Sequence, residues 1–275
     1  MICLAIFLLA FSNIPNQEHS EVNSEDADLL MQNPNLFGGD IIGDFDDTRG
    51  AVSNNYRLWS GKSIPYEIEK ELLTYETFKR LINEAIMQFE RNTCVRFVKR
   101  TNEKNYVRIF RGPGCFAHIG RNKGVQILSL ARGCWNLGSV VHELNRVVGF
   151  YHEQNRPDRD EYIKVFWENT KPDQTFNFLK FAPHRMRILN EFDYNSIMLY
   201  GERYFSKDGR SKTMEALKQG VSLINISSKP GLSKSDIFRI NTLYNCSLYD
   251  DFVSIYKLSS VDLPLEFKLK IQEKR

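Results

Sequence analysis

The sequence predicts an α+β domain, built from two long helices and a sheet of short strands. Apolar residues recur at helical spacing over residues 77–92, and a second helix is expected over 137–148. Five short segments rich in apolar residues, three of them between the two helices, are typical of strands. With 275 residues, of which 42% are hydrophobic, the chain is long enough for one large domain or for two lobes around a cleft.

The first 49 residues differ in composition from the rest of the chain. The apolar run 2–11 is too short to cross a bilayer and fits the apolar part of a signal peptide, with cleavage expected after Ser12. Nine acidic residues and one arginine give residues 1–49 a net charge of −8. The segment 13–36 is therefore expected to be mobile before processing. Arg49 offers a cleavage point for a trypsin-like protease.

Two classes of partner are not expected. A formal net charge of +3 is too weak to indicate nucleic-acid binding. After the first dozen residues, no apolar run is long enough to span a membrane.

The expected elements follow in chain order. Residues 64–68 are expected to form an edge strand, because Pro65 cannot donate a hydrogen bond to a neighbouring strand. Thr74 is expected to cap the helix over 77–92. The remaining predicted elements are strands at 95–98, 106–110 and 125–130, a turn at 112–115, the helix 137–148, a short strand at 162–166, and a helix at 236–244 capped by Ser233 or Ser235.

Features of a secreted chain come from the cysteines and from one sequon. Beyond Cys3 in the signal peptide, the cysteines are Cys94, Cys115, Cys134 and Cys246. An even number in a secreted chain implies two disulfides, and spacing alone leaves all three connectivities open. No C-x-x-C pair occurs, so a cysteine zinc site is not expected. Asn225 begins an acceptable N-glycosylation sequon.

The predicted helix 137–148 carries nearly all of the long zinc motif H-E-x-x-H-x-x-G-x-x-H. Such a motif places two histidines one helical turn apart, and a glycine turn then brings a third histidine to the same metal. The glutamate takes a proton from the metal-bound water and passes it to the leaving amine. The motif positions that are filled here are His142, Glu143, Gly149 and His152. Arg146 stands where the motif has its second histidine.

Together these residues resemble the astacin family of secreted zinc metalloendopeptidases, within the metzincins. Four further segments carry the likeness, which extends over nearly all of 37–246. They are 152–162, similar to the family's H-E-x-x-R-x-D-R-D-x-Y; 196–200, similar to its Met-turn S-I-M-H-Y; 37–40, similar to the propeptide's F-x-G-D; and 58–66, similar to the start of the mature enzyme. Leu199 replaces the usual Met-turn histidine, which is not a metal ligand, so only a local change in packing is expected.

The resemblance implies a fold and a domain order. The fold is a two-lobed catalytic domain, in which a twisted, mostly parallel sheet and the active-site helix lie above an irregular lower lobe. The implied order is a signal peptide (1–12), a propeptide (13–49), an astacin-like metalloprotease domain (50–246) and a C-terminal tail (247–275). The resemblance also implies that the disulfides are Cys94–Cys246 and Cys115–Cys134.

The resemblance assigns roles at the active site as well. It implies one zinc ion held by His142 and His152, with Glu143 as the general base. Tyr200 would be a further ligand in the resting enzyme and would stabilise the oxyanion during turnover. Met198 would pack beneath the metal.

A zymogen is also implied. Asp40 of the propeptide would reach the metal and displace the catalytic water. Cleavage after Arg49 by a trypsin-like protease would free Gly50, whose amino group would then pair with Glu153.

Arg146 leads to two competing hypotheses about function. A guanidinium stays protonated and has no lone pair for a metal. One hypothesis is an active secreted peptidase that hydrolyses polypeptides; the other is an impaired or inactive relative that binds peptides or proteins. A sequencing or gene-model error is a third explanation, since one codon change converts His to Arg. Because three protein ligands are the rule for catalytic zinc, we favour impairment.

The side chain of Arg146 has two expected positions. An arginine is longer than a histidine, so its charged end would pass the ligand position and is predicted to pair with Glu143 or Asp40. Alternatively, it would bend out of the cleft and leave a two-histidine site completed by Tyr200 and water.

Overall fold

The computed structural model describes residues 24–43 and 57–246. The predicted signal peptide, the cleavage point after Arg49 and the tail 247–275 lie outside these ranges. Within them, no helix is long and apolar enough to cross a membrane.

A six-stranded sheet forms the upper lobe. Side by side, its strands are β1 (Ile41–Ile42), β5 (Cys115–His118), β6 (Val125–Leu130), β4 (Tyr106–Phe110), β2 (Ser63–Ile68) and β3 (Arg96–Lys99). Neighbouring strands run parallel, except for the antiparallel pair of β5 and β6. The mostly parallel sheet that the sequence led us to expect is therefore confirmed.

Four α-helices accompany the sheet, and two of them pack on each other and against it. The helices are α1 (Ser24–Leu29), α2 (Glu76–Asn92), α3 (Leu137–Val148) and α4 (Lys234–Leu243). α2 buries the apolar face that its sequence predicted. α3 is buried from Gly138 to its end and lies against α2, β5 and β6. Polar side chains of α3 can therefore reach a cleft only at the face of the helix that borders it.

The lower lobe is mainly irregular, as expected. It contains short 3₁₀ turns and one small antiparallel sheet of β7 (Ile163–Val165) and β8 (Met214–Ala216). α4 lies in this lobe and is capped by Ser233, the residue before its first turn. The Ser233 hydroxyl accepts from the Asp236 amide, and the Asp236 carboxylate accepts from the Ser233 amide. Ser233, and not Ser235, is therefore the cap.

Two local predictions were wrong. β2 is an interior strand, paired with β3 over Ser63–Tyr66 and with β4 only from Tyr66 onward. Pro65 is tolerated because it precedes the residues that pair with β4. Thr74 does not cap α2: it ends a 3₁₀ turn, and its hydroxyl donates to the Glu71 carbonyl.

Four of the described helices and strands were missed: β1 and β8, which no sequence pattern predicted, and β5 and α1. Residues 112–115 were predicted as a turn, yet β5 begins at Cys115. The segment 24–36 was expected to be mobile, but it forms α1 and buries Asp28 and Met31. Its acidic composition indicated disorder, and contacts distant in sequence order it instead.

Candidate active site

α3 and the turn after it bring the two motif histidines together. The Asn136 side chain caps α3 at its start by accepting from the Ser139 amide. Gly149 ends the helix at φ 133°, a conformation that favours glycine. The chain then turns back, and the ring of His152 lies 5.4 Å from that of His142, centroid to centroid. Both histidines are fully buried.

The Met-turn (residues 196–200) forms the floor of this site and is fastened from below. The buried Lys229 donates from Nζ to the carbonyls of Ser196 (2.6 Å) and Leu199 (2.5 Å). The Asp236 carboxylate accepts from the Ser196 hydroxyl at 2.6 Å and from the Ile197 amide at 2.8 Å. Burial lowers the pKa of Lys229 to about 8, although Asp236 opposes this shift. Two charged groups thus hold the floor of the site in position.

Residues 24–43, part of the predicted propeptide, lie across the site: α1 is followed by a series of turns, and only Ile41–Ile42 forms a strand. The Cys115 amide donates to the Leu30 carbonyl at 3.0 Å, and the Ala117 amide to the Asp40 carbonyl at 2.9 Å. Gly38 lies so close to His152 that a Cβ atom at position 38 would be 2.5 Å from the ring. The two glycines before Asp40 therefore permit the close approach that their sequence suggested.

Asp40 is the centre of the site. Its Oδ2 atom lies 2.7 Å from Nε2 of His142, 3.1 Å from Nε2 of His152 and 2.9 Å from the Tyr200 hydroxyl. Arg146 donates from Nη2 to both carboxylate oxygens, each at 3.1 Å. Burial alone would raise the pKa of Asp40, but the Arg146 guanidinium and the two histidines hold it well below its usual range. Asp40 is therefore a fully buried carboxylate surrounded by donors and positive charge.

Arg146 points into the cleft, so the ion pair predicted from the sequence forms with Asp40. Its second terminal nitrogen, Nη1, donates to the Phe150 carbonyl at 2.9 Å. Both carboxylate oxygens of Glu143 are buried and have no hydrogen-bond partner among the described residues. Burial, with the nearby charge of Asp40, raises the pKa of Glu143 well above its ordinary value.

Burial also shifts the pKa of each remaining site residue away from its charged form. It lowers the pKa of His142, and it lowers that of His152 to about 3, with Arg146 adding to both shifts. It raises the pKa of Tyr200 well above its ordinary value, as does the charge of Asp40. Burial therefore favours the neutral forms of both histidines and of the phenol.

Glu153, the predicted partner of a new amino terminus, is held by two arginines. Arg239 donates to both of its carboxylate oxygens, at 2.8 and 2.7 Å, and Arg156 donates to one at 3.0 Å. Burial raises the pKa of Glu153 despite these arginines. Gly50 lies outside the described residues, so its pairing with Glu153 stays a prediction.

Both predicted disulfides are present. The Cα atoms are 5.5 Å apart in Cys94–Cys246 and 6.0 Å apart in Cys115–Cys134. The second bridge joins the start of β5 to the residues just before α3, and so connects two walls of the cleft.

Asn225 is half-buried just before a 3₁₀ turn. Its glycosylation stays a prediction.

Sequence reasoning missed several residues that hold the propeptide or the floor. The Asp28 carboxylate accepts from the Tyr204 and Ser227 hydroxyls, at 2.5 and 2.9 Å. The Asn177 side chain accepts from the Gly38 amide at 2.8 Å. None of these residues, nor Lys229, belongs to a local pattern that would have singled it out.

The sheet, the histidine pair on and after one helix, the adjacent glutamate and the Met-turn floor together define a metzincin-type metalloprotease fold. Comparison with known families agrees, because residues 51–245 match the peptidase family described as Astacin. The chain belongs to this astacin family of zinc metalloproteases.

Individual relatives give the same result. "Astacin-like metalloprotease toxin 1" of Loxosceles intermedia is 41% identical over 227 residues, which cover 80% of this chain and 84% of the relative. "Zinc metalloproteinase nas-13" of Caenorhabditis elegans is 37% identical, over 80% of this chain and 49% of its own length. Among solved structures, High choriolytic enzyme 1, a hatching enzyme zinc-protease from Oryzias latipes, aligns with a TM-score of 0.62 and 36% identity, covering 75% of this chain and 99% of its own.

The zinc ion that the family implies does not fit beside Arg146 in this arrangement. Asp40, His142 and His152 form a group of possible ligands whose atoms lie within 4.8 Å of one another. Nη2 of Arg146 lies among these atoms, 3.2 Å from Nε2 of His142 and 3.1 Å from the Asp40 oxygens. A guanidinium offers no lone pair and carries the same sign of charge as the metal. The groups behind the ligands are still suited to a metal, because Nδ1 of His142 lies 2.8 Å from the Ile197 carbonyl.

Proposed function

We propose that this chain is a secreted, zymogen-type member of the astacin family whose cleft binds polypeptide and whose peptidase activity is strongly reduced by Arg146. The observation that carries this proposal is the position of Nη2 of Arg146, 3.1 Å from both Asp40 oxygens and 3.2 Å from Nε2 of His142. A cation fixed among the remaining ligands opposes the binding of a second cation there.

Polypeptide binding is supported by the way in which residues 24–43 occupy the cleft. β1 adds to the edge of β5, and backbone amides of β5 donate to the segment. These contacts are made by main-chain atoms of β5, and a different polypeptide would find the same donors once the propeptide had gone.

The proposed processing follows the domain order. A signal peptide (1–12) is removed on secretion, and a trypsin-like protease cleaves after Arg49 to separate the propeptide (13–49) from the domain 50–246. Gly50 then pairs with Glu153, and Asn225 carries a glycan. Two disulfides are compatible with an extracellular location.

An active zinc endopeptidase is the second candidate. The observation in its favour is that the carboxylate of Glu143 has no hydrogen-bond partner among the described residues, so Arg146 does not consume the general base. In this case Arg146 must leave the cleft after the propeptide is lost. Glu143 would then hold the proton taken from water, and the Tyr200 hydroxyl would donate to the oxyanion.

Zinc content and proteolysis decide between the two candidates. The full chain is purified without added metal and cleaved after Arg49. It is compared with Arg146→His and Arg146→Met in zinc per chain and in cleavage of an unstructured protein. We expect Arg146→His alone to bind zinc tightly and to be active, since it restores the third nitrogen ligand. Arg146→Met controls for the loss of charge without a gained ligand. If the unaltered chain holds one zinc and cleaves as fast as Arg146→His, the proposal is wrong.

A further inference from the structure

We infer that Arg146 turns the metal position into a carboxylate-binding site. This site holds Asp40 of the propeptide without a metal ion, and it takes a carboxylate of a polypeptide ligand once the propeptide is gone. The second half of the inference rests on the proposed function, in which the mature cleft binds polypeptide.

The site presents its donors to one carboxylate. Nη2 of Arg146 donates to both oxygens of Asp40. The Tyr200 hydroxyl lies 2.9 Å from Oδ2 and 2.6 Å from the Gly38 carbonyl, and it has one proton for these two acceptors. His152 donates to Oδ2 from Nε2 at 3.1 Å, because its Nδ1 has no partner among the described residues and the ring needs only one proton. Charge-assisted hydrogen bonds of this kind are stronger than neutral ones.

Groups of the protease domain fix these donors in place. The Phe150 carbonyl accepts from Nη1 of Arg146 at 2.9 Å. The ring of Tyr200 lies between those of His152 and Tyr204, at 4.2 and 3.9 Å from their centroids. The contact between Arg146 and Phe150 involves no residue of 24–43, so the guanidinium keeps that anchor when the segment leaves. The hydroxyls of Tyr200 and Tyr204 lose their contacts with Gly38 and Asp28.

Loss of the propeptide leaves a charge that needs a partner. Arg146 is fully buried in the precursor, and a buried guanidinium without a counter-charge is unfavourable. An incoming carboxylate supplies that counter-charge. The competing group within the chain is Glu143, whose turning toward Arg146 would close the site.

The path of Asp40 defines the ligand further. Its carbonyl accepts from the Ala117 amide, so the carboxylate belongs to a chain that pairs with β5. Two positions earlier, the ring of His152 leaves no room for a Cβ atom at Gly38. The expected ligand is a peptide that carries an acidic side chain two residues after a glycine and can follow the turn that residues 36–39 make. A free C-terminal carboxylate shares the chemistry and is a second source.

Retention of the cleaved propeptide tests whether the site holds Asp40 without a metal ion. In the full chain, residues 44–49 are replaced by a recognition sequence for a site-specific protease, so that the cut falls before Gly50. We expect the fragment to stay bound equally well with and without EDTA. Asp40→Asn should weaken retention by at least about 100-fold, the effect of breaking a buried pair. Arg146→His should retain the fragment with zinc and release it on chelation.

Two results would show that the site does not hold Asp40 in this way. One is release of the unaltered fragment by EDTA, and the other is equal retention of the fragment in Asp40→Asn. Circular dichroism of each uncleaved chain shows whether the variant is folded. If Asp40→Asn does not fold, Asp40→Glu and the EDTA comparison on the unaltered chain still decide.

The mature site is tested with synthetic peptides on the cleaved chain after its fragment has been removed. The probes are peptides of residues 36–43 with Asp40 or with Asn in its place, and a peptide that ends at Gly39 as acid or amide. Preference for Asp40 supports a side-chain ligand, and preference for the acid over the amide supports a terminal carboxylate. Equal binding of all four peptides overturns this half of the inference. It is also overturned if Glu143, and not a peptide carboxylate, pairs with Arg146 in the cleaved chain. Protease assays on the same sample show separately whether the proposed function fails.

Discussion

Lys229 should make this protein more stable as pH rises. A buried acid whose pKa is raised by burial has the opposite effect. It lies under the Met-turn, 5% exposed, and donates to two carbonyl oxygens there. Burial lowers its pKa from 10.5 to about 8. Between these two values the unfolded chain binds a proton that the folded chain does not. The free energy of unfolding therefore rises as pH increases through this window.

The size of this effect follows from the two pKa values. Integrated from pH 7 to pH 10, the difference in bound protons amounts to about 2.5 kcal/mol in favour of the folded state. Most of the gain falls above pH 8, where the folded lysine has lost its charge.

The assay is chemical unfolding of the full chain at several pH values from 7 to 10, beside Lys229→Met. The free energy of unfolding of the unaltered chain minus that of the variant should rise by about 2.5 kcal/mol over the range, because other titrating groups cancel. Lys104→Met removes an exposed lysine and serves as the matched control. A difference for Lys229 that stays constant with pH, as for Lys104, would refute the reasoning.

Two further pairs of variants, one of glycines and one of disulfides, are each expected to differ in the size of their effect. Gly38→Ala should weaken retention of the cleaved propeptide by at least about tenfold, because its Cβ would meet the ring of His152 at 2.5 Å. Gly43→Ala also has positive φ but open space around it, and equal effects of the two variants would contradict the steric argument. Replacing both cysteines of Cys94–Cys246 by alanine should cost about 5 kcal/mol in chemical unfolding, against about 3 for Cys115–Cys134, since the closed loops differ in length. The opposite order would show that native-state packing outweighs chain entropy.

The elements that could be predicted are those fixed by local sequence. Apolar spacing located α2, and the zinc motif located α3 and named the histidines that the fold brings together. The resemblance supplied the disulfide pairing, which spacing left open. For Arg146 the sequence offered two carboxylate partners, and only the path of the propeptide selects Asp40.

What could not be predicted depends on contacts between distant segments. α1 and the chain after it are acidic and polar, and they are ordered by groups such as Tyr204 and Ser227, far along the chain. β5 is four residues long and follows a Gly-Pro-Gly sequence, so turn signals concealed it. A buried lysine beneath a turn has no periodic pattern at all.

The pairing of β1 with β5 has a consequence for folding and solubility. An exposed sheet edge offers unpaired amides and carbonyls to any other extended chain and promotes aggregation. Ile41 and Ile42 cover the outer edge of β5. A chain made without residues 24–43 would have to fold with that edge bare, so its refolding should yield less soluble monomer, and the same residues supplied as a separate peptide during refolding should raise that yield. Residues 24–43 would thus act as an intramolecular chaperone.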